Sequence, residues 1–267
     1  MLELDVHLTK DKHVVVFHDA NIGRVTGEPG KIATFDYKDL PKLSLELPPS
    51  QFDRDSKPVH AEKRESIPLL REVFDKFPDV WINIDIKPQK NVEMISKEVL
   101  KLIKEYKREH ITVWGSMRSS TTTLLYNLAP EIPLIASSGR MFSLILAYFV
   151  GILPLIPIKE SFIEPPLPHD DLRDEYLDIA HGMARPSVVN FVLSVVFYTM
   201  SRKTFYVHLK ARGCRILFWV ANSPSAFDKA FELGATGVMT DYPSRLKAFL
   251  KGRSELITQS RLSRSEE

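Results

Sequence analysis

The chain has 267 residues, a length that one large α/β barrel satisfies as well as two ordinary domains of roughly 150 residues each. Its content of 44% hydrophobic and 26% charged residues is typical of a globular protein with a sizeable core, which excludes wholesale disorder. The 36 basic and 34 acidic side chains give a net charge of +2, too small to indicate a nucleic-acid partner, and the single cysteine excludes an intramolecular disulfide framework.

The chain opens with a predicted strand, Leu2–Leu8, in which apolar and polar residues alternate. Because alternate residues of a strand share a face, Glu3, Asp5 and His7 lie on the same side of it. Acidic residues stand where a signal peptide would carry basic and then apolar ones, so no signal peptide is predicted. A second strand, Val14–Phe17, follows after a short polar turn, and we expect the two strands to pair as a hairpin.

Further along the chain, predicted helices alternate with predicted strands. The helices are Pro68–Phe77, Asn91–Tyr106, Ser119–Leu128, Ser223–Leu233 and Ser244–Leu250. The strands are Trp81–Ile86, Ile111–Val113, Leu134–Ala136, Arg215–Val220 and Gly237–Met239. This alternation predicts a (β/α)8, or TIM, barrel over residues 1–250, followed by a disordered tail at 251–267. The helix-linked strands number fewer than eight, so we expect the barrel to lack its first βα unit in this chain.

Two apolar stretches interrupt this alternation. Met141–Ile158 is eighteen residues long and carries no charge, which is marginally long enough to span a bilayer. One glycine and two prolines in its second half favour an interfacial or re-entrant hairpin at least as well as a span. A second stretch, Val188–Met200, is too short to span but suits a position beside the first. Together they predict a membrane-facing insertion at about residues 138–200, and the alternative is a buried core helix.

Polar side chains at or near the predicted strand ends form a candidate site, because the active site of such a barrel lies at the carboxyl ends of its strands. Glu3 and Asp5 are hard oxygen ligands of the kind that Mg²⁺ and Ca²⁺ prefer, and Asp85 is a candidate third ligand. Lys87 shares a strand face with Asp85, and its ammonium suits an anionic phosphate. His18 is a candidate general acid or base. Each feature alone is also compatible with a solvated strand face or a structural histidine.

Several segments together resemble the glycerophosphodiester phosphodiesterase family, and the resemblance spans nearly the whole chain. These segments are Glu3–Asp11, Val14–Asp19, Ile84–Lys87, Trp219–Asn222 and Gly237–Pro243. The first apolar stretch resembles the membrane-associated branch of that family, whose members act as lysophospholipase D enzymes and generate lysophosphatidic acid. The resemblance implies a TIM-type barrel of the phospholipase-C-like phosphodiesterase class that uses a divalent cation, Mg²⁺ or Ca²⁺.

The resemblance also implies roles for individual residues. Glu3 and Asp5 match the metal-binding Glu-x-Asp of the family, and Asp85 matches a metal-ligand carboxylate that is Glu in many members. His18 matches the second of two catalytic histidines, and Lys87 matches a lysine directed toward the phosphate.

Two further points follow from the resemblance. Trp219 matches an aromatic residue that lines the substrate pocket. The family's opening His-Arg-Gly strand end and its Glu-Asn-Thr motif, which carry the first catalytic histidine and another metal-site glutamate, would lie upstream of Met1.

We therefore expect a metal-dependent phosphodiesterase that cleaves lysophospholipids or glycerophosphodiesters at a membrane surface, that of the endoplasmic reticulum or another intracellular membrane. One alternative is a catalytically impaired, truncated barrel that binds lipid or a protein partner. Another is a soluble barrel that acts on sugar phosphates, in which the apolar stretch is a buried helix.

Overall fold

The computed structural model describes residues 1–48, 57–87, 90–168 and 186–253. The chain divides into two compact units, Met1–Ser138 and Gly139–Glu267. The predicted disordered tail at 251–267 lies, beyond residue 253, outside the described residues.

The first unit contains two sheets and four helices among its described residues. Its strands are β1 (Leu2–Leu8), β2 (Val14–Val16), β3 (Glu46–Leu47), β4 (Val59–His60), β5 (Ile82–Ile86) and β6 (Thr112–Gly115). Its helices are α1 (Gly23–Thr26), α2 (Leu70–Lys76), α3 (Val92–Glu105) and α4 (Ser119–Leu128). The main sheet has the order β2-β1-β5-β6, in which only the β1–β2 pair is antiparallel, and β3 and β4 form a separate antiparallel pair.

Among its described residues, the second unit contains one parallel sheet and five helices. Its strands, in sheet order, are β7 (Phe162–Ile163), β8 (Arg215–Phe218) and β9 (Gly237–Val238). Its helices are α5 (Ser138–Phe149), which begins at the last residue of the first unit, α6 (Pro186–Met200), α7 (Lys203–Ala211), α8 (Pro224–Leu233) and α9 (Pro243–Lys251).

The alternation of β1 separates a core face from a polar face, as predicted. Leu4, Val6 and Leu8 are buried in one apolar cluster with the isoleucines of β5 and the buried residues of α3. Full burial of one such side chain stabilises the fold by about 1.5–3 kcal/mol. The polar residues that alternate with them are thereby fixed on the opposite face of the sheet, where the candidate site is found.

Most predicted elements are present within two residues of their predicted ends. The exception is Leu134–Ala136, which contributes a single parallel bridge between Leu134 and Trp114. The backbone makes a close approach beside this bridge: a Cβ on Gly115 would lie 2.5 Å from the Cβ of Ile135. Glycine is therefore the residue that allows this packing.

Several elements were not predicted, among them the one-turn helix α1, the short strands β3, β4 and β7, and the helices α6 and α7. Helix α1 ends at Gly27, whose φ of 78° requires the left-handed region that glycine enters at low cost. Strands of two residues are too short to show an alternation. Helix α7 does carry a signal, because Phe205 and Leu209 are buried four residues apart.

The apolar stretch Met141–Ile158 is folded as part of α5 followed by a loop. Helix α5 ends at Phe149, the chain turns at Gly151 with a φ of 79°, and a 3-10 turn covers Leu153–Leu155. None of the helices in the described ranges has both the length and the apolar character that a membrane crossing requires. Strand β7 lies inside the range predicted as an insertion and pairs with β8.

Candidate active site

The polar face of the first sheet brings two carboxylates to one ammonium group. In the parallel register of β1 and β5, Asp5 lies opposite Asp85. The Nζ atom of Lys87 is 2.7 Å from Asp5 Oδ1 and 3.0 Å from Asp85 Oδ2. The Lys87 side chain is only 19% exposed, so water screens these charges weakly. Asp5, Asp85 and Lys87 are all predicted site residues, and in the structure they form one ionic cluster.

Burial and charge together set the protonation of this cluster. Burial by itself would lower the pKa of Lys87, but the negative charges of Asp85 and Asp5 outweigh it and raise that pKa, so the ammonium is charged at neutral pH. Burial raises the pKa of Asp85, and the Lys87 charge offsets part of this effect. The Oδ1 atom of Asp85 is buried and has no hydrogen-bond partner among the described residues.

The carboxylates fit a divalent cation only in part. Glu3 lies on the same strand face as Asp5 but is exposed, opposite Asn83 of β5. The described residues contain no cluster of three or more histidine, cysteine or acidic side chains that could hold a metal ion. However, Mg²⁺ in phosphate-processing sites is commonly held by one or two carboxylates together with substrate oxygens and water. Asp5 and Asp85 suit that mode of binding, because Oδ1 of Asp85 has no hydrogen-bond partner among the described residues.

His18 lies two residues after the end of β2, and its ring is held by the neighbouring Asp19. Its Nδ1 atom is 2.6 Å from Asp19 Oδ1, and Asp19 Oδ2 is 2.6 Å from Nε of Arg24. Partial burial would raise the pKa of Asp19, but the hydrogen bonds from Arg24 and His18 outweigh it and lower that pKa. An ionised carboxylate only accepts hydrogen bonds, so Nδ1 of His18 donates and the neutral imidazole keeps its lone pair on Nε2.

The backbone around His18 is anchored to β1. The amide of Phe17 donates to the carbonyl of Asp5 at 2.9 Å, and the buried His7 lies with Nε2 3.1 Å from the carbonyl of His18. Because a carbonyl only accepts, His7 carries its proton on Nε2. Burial lowers the pKa of His7, which favours the neutral ring. The candidate base and the ionic cluster are thus attached to the same strand.

Trp219 is positioned in the second unit, directly after β8. Its backbone continues the parallel pairing past the strand ends, with Trp219 N donating to the Pro165 carbonyl at 3.2 Å and Leu167 N donating to the Trp219 carbonyl at 2.8 Å. Its indole Nε1 donates to the carbonyl of Glu164 at 2.7 Å. The orientation of the ring is therefore fixed by main-chain contacts.

Asn222 joins the loops that follow β8 and β9. Its Nδ2 donates to Asp241 Oδ2 at 2.9 Å, and its Oδ1 accepts from the Asp241 amide at 3.0 Å and from the Thr240 hydroxyl at 3.1 Å. Asn222 and Asp241 lie in segments that carry the family resemblance, but no role was predicted for either residue. Their role in the structure is to fix two neighbouring loops to each other.

Sequence reasoning also missed the partners of His18. Asp19 directly follows His18 in the sequence, and the adjacency of a histidine and an acid was a signal that could have been used. Arg24 gave no comparable signal, because its contact with Asp19 depends on how the intervening loop folds.

Several solved structures share the fold of this chain. The glycerophosphoryl diester phosphodiesterase domain of a Mycobacterium tuberculosis protein aligns with a TM-score of 0.66 and 12% identity, over 94% of this chain and 87% of that structure. A phosphodiesterase from Oleispira antarctica, solved with its product sn-glycerol-3-phosphate, aligns with a TM-score of 0.56 and 17% identity, over 93% and 84% of the two chains. The fold is that of the α/β-barrel phosphodiesterases, which confirms the predicted fold class.

The sequence comparison narrows this class. The model of the glycerophosphoryl diester phosphodiesterase family matches residues 1–245, and the chain belongs to this family. The chain is 40% identical over 260 residues to the lysophospholipase D GDPD1 of Rattus norvegicus, an alignment that covers 95% of this chain and 78% of the relative. The predicted family is confirmed, and so is the predicted class of enzyme, a phosphoric diester hydrolase.

Proposed function

We propose that the chain is a lysophospholipase D. It hydrolyses the phosphodiester of a lysophospholipid, or of a related glycerophosphodiester, to lysophosphatidic acid or glycerol phosphate and a free head-group alcohol. The observation that carries this proposal is the cluster of Lys87 with Asp5 and Asp85, next to a histidine oriented by Asp19, in a chain that is 40% identical to a lysophospholipase D. The alternative of a binding barrel without catalysis has no comparable support.

A divalent cation is part of this proposal. Asp5 and Asp85, with Glu3 on the same strand face, are the residues that would hold Mg²⁺ or Ca²⁺. When bound, such a cation supplies Lewis-acid stabilisation of the negative charge on the phosphate oxygens. Lys87 contributes a second positive charge to the same region, which attracts the anionic substrate and opposes the charge that develops in the transition state.

His18 is the residue of this chain that transfers protons in the proposed reaction. A free glycerol hydroxyl next to the phosphate attacks phosphorus and loses its proton, and the bond between phosphorus and the head-group oxygen breaks. The departing oxygen takes up a proton, and water then opens the resulting cyclic phosphate. The Nε2 lone pair of His18 suits it to accept a proton and return it, a contribution typically worth about 10²–10⁴-fold in rate. Diacyl lipids lack the free hydroxyl, so they are excluded as substrates.

In this proposal, residues of the second unit contact the acyl chain of the substrate and the membrane. Trp219 offers an aromatic surface for the substrate beside β8. Helix α5 presents an apolar stripe to solvent through Phe142, Leu146 and Phe149, and Leu155 in the following turn is 80% exposed. Such a surface suits insertion into the interface of a bilayer, and we place the enzyme at the endoplasmic reticulum or another intracellular membrane. No nucleic-acid partner is proposed.

The test is the identity of the products released from lysophosphatidylcholine by the purified chain in Mg²⁺, Ca²⁺ or EDTA. We expect free choline and lysophosphatidic acid with a divalent cation and neither with EDTA. We expect His18→Gln to lose about 10²–10⁴-fold in kcat, whereas His110→Gln, an exposed histidine in the turn before β6, keeps wild-type activity. Release of phosphocholine would contradict the proposed bond, and the absence of any product would favour the binding alternative.

A further inference from the structure

Asp19 divides its two oxygen atoms between two partners. Oδ1 is 2.6 Å from Nδ1 of His18, and Oδ2 is 2.6 Å from Nε of Arg24. Both pairs are ionic when the imidazole is protonated, and the Asp19 side chain is 20% exposed. A carboxylate held at both oxygens cannot rotate about its final bond without losing one contact.

We propose that Arg24 is a positioning residue for the reaction: by holding Asp19 Oδ2 it directs Oδ1 to the Nδ1–H of His18, and so presents Nε2 of His18 as the proton-transferring atom. This inference rests on the proposed function for its catalytic meaning. Its structural content, the control of the His18 tautomer by Arg24, stands independently of the reaction.

The chain holds Arg24 at this position by local and core contacts. Arg24 belongs to the one-turn helix α1, and Ile22 just before it is fully buried in a cluster with Val15 and Ile32. The Thr26 hydroxyl donates to the Ile22 carbonyl at 2.9 Å, which closes the turn. Strand β2, which carries Val15, is followed by the segment with His18. The same apolar cluster therefore anchors both the segment that carries His18 and the segment that carries Arg24.

Charge and geometry both favour arginine here. The planar guanidinium directs its N–H groups rigidly, whereas an ammonium is a point charge on a flexible stem. A neutral side chain at position 24 would leave Asp19 free to adopt rotamers that no longer face Nδ1. The imidazole would then distribute its proton between the two nitrogens, and a smaller fraction of the enzyme would carry the lone pair on Nε2.

The first test reads the tautomer directly. The chain is labelled with ¹⁵N-histidine, the His18 signals are assigned by their loss in His18→Gln, and long-range ¹H–¹⁵N spectra report which ring nitrogen is protonated. We expect the neutral ring of the wild type to be protonated at Nδ1, and both tautomers to be populated in Arg24→Gln. Arg24→Met, which keeps most of the aliphatic stem, is measured in parallel so that a failure of one variant to fold leaves the other.

The second test separates kcat from KM in lysophosphatidylcholine hydrolysis. We expect kcat of Arg24→Gln to fall about tenfold with KM changed less than about twofold, and Arg24→Lys to recover part of the loss. The control is Arg253→Gln, which removes an exposed ion pair with Asp228 and is expected to change neither quantity.

The outcomes of the two tests are distinguishable. A folded Arg24 variant with the wild-type tautomer and the wild-type kcat would overturn the positioning role. If the wild type hydrolyses no lysophospholipid, the proposed function fails, and the tautomer of His18 in the Arg24 variants still decides the inference.

Discussion

Lys87 is the residue on which the electrostatics of the site depend, because its single positive charge lies between two carboxylates that are opposite each other in the register of β1 and β5. Without its ammonium, Asp5 and Asp85 would be like charges in a poorly solvated region. Such an arrangement destabilises the fold unless a cation replaces the lost charge. The cluster that we propose for binding the substrate phosphate therefore also contributes to stability, and this contribution can be measured without any assay of activity.

We expect Lys87→Met to lower the free energy of unfolding at pH 7 by about 2 kcal/mol. Millimolar Mg²⁺ should recover part of the loss, because binding to the folded carboxylates stabilises the native state. The measurement is urea unfolding with and without Mg²⁺. The matched control is Lys97→Met, which removes an exposed pair with Glu93 on α3 and should leave stability unchanged. Equal stability of Lys87→Met and wild type would show that the cluster carries no net stabilisation.

Asp11 provides a pH dependence with a defined sign. Partial burial opposes ionisation, but bonds from Thr9, His13 and the Tyr37 amide lower the pKa of Asp11 from 3.8 to about 2. A depressed acid pKa stabilises the folded state above the unfolded pKa, and this contribution is lost as the pH falls from about 4 to about 2. The stability difference between wild type and Asp11→Asn should therefore shrink over this range in urea unfolding. A difference independent of pH would exclude this contribution.

At the scale of elements, the strands were predictable where burial on one face imposes an alternation. In β1 the period of two also placed Glu3, Asp5 and His7 on one face, and the parallel register then set Asp5 against Asp85. The alternation of apolar and polar residues therefore predicted which side chains of β1 share a face, and the pairing of β1 with β5 brings Asp5 opposite Asp85. The contact between Arg24 and Asp19 could not be predicted in this way, because a one-turn helix and an irregular loop have no period.

The turn between α2 and β5 depends on one buried side chain, Arg108. Its guanidinium donates to the carbonyl of Phe77 at 2.9 Å and to the carbonyls of Pro78 and Val80, and it lies over the ring of Phe74. Phe77 directly follows α2, and Pro78 and Val80 lie between it and β5, so these bonds supply a donor to backbone carbonyls along the whole connection. A single arginine thus fixes the chain as it enters the strand that carries Asp85.

We expect Arg108→Lys to lower the free energy of unfolding by about 2 kcal/mol, since a lysine offers one donor centre where the guanidinium reaches several carbonyls. The exposed Arg71 of α2 provides the control, because Arg71→Lys should change stability by less than about 0.5 kcal/mol. Chemical unfolding monitored by circular dichroism measures both. Loss of equal size in the two variants would show that the effect does not come from the contacts of Arg108 with the carbonyls.

At the scale of the whole chain, the alternation of helices and strands identified the fold class before any contact was known. Which apolar residues are exposed was harder to predict than which segments form helices and strands. The uncharged stretch Met141–Ile158 indicated an apolar surface, but only the structure divides it into buried residues, such as Leu144 and Ile145, and an exposed stripe on the opposite side of α5. Helical periodicity produces this division, and the helix ends at Phe149, directly before the turn at Gly151.

The proposed membrane contact predicts that the exposed stripe of α5 governs binding to lipid. Phe142→Asp should weaken binding to phosphatidylcholine vesicles by about tenfold or more, because inserting one phenylalanine contributes about 1.5–3 kcal/mol. Co-sedimentation with vesicles measures this, with Val59→Asp as the control, since Val59 is an exposed apolar residue of the short strand β4. Binding that responds equally to both changes, or to neither, would contradict a role for α5.

The close approach at Gly115 constrains how this sequence can diverge. Because a Cβ at position 115 would meet the Cβ of Ile135 at 2.5 Å, any other residue there demands a smaller neighbour or a shift of the backbone after β6. Because every residue except glycine carries a Cβ, exchanging Ile135 for another side chain does not relieve this contact, and a side chain at position 115 is tolerated only together with glycine at position 135 or with a shift of the backbone. Among descendants of this chain, positions 115 and 135 should therefore covary.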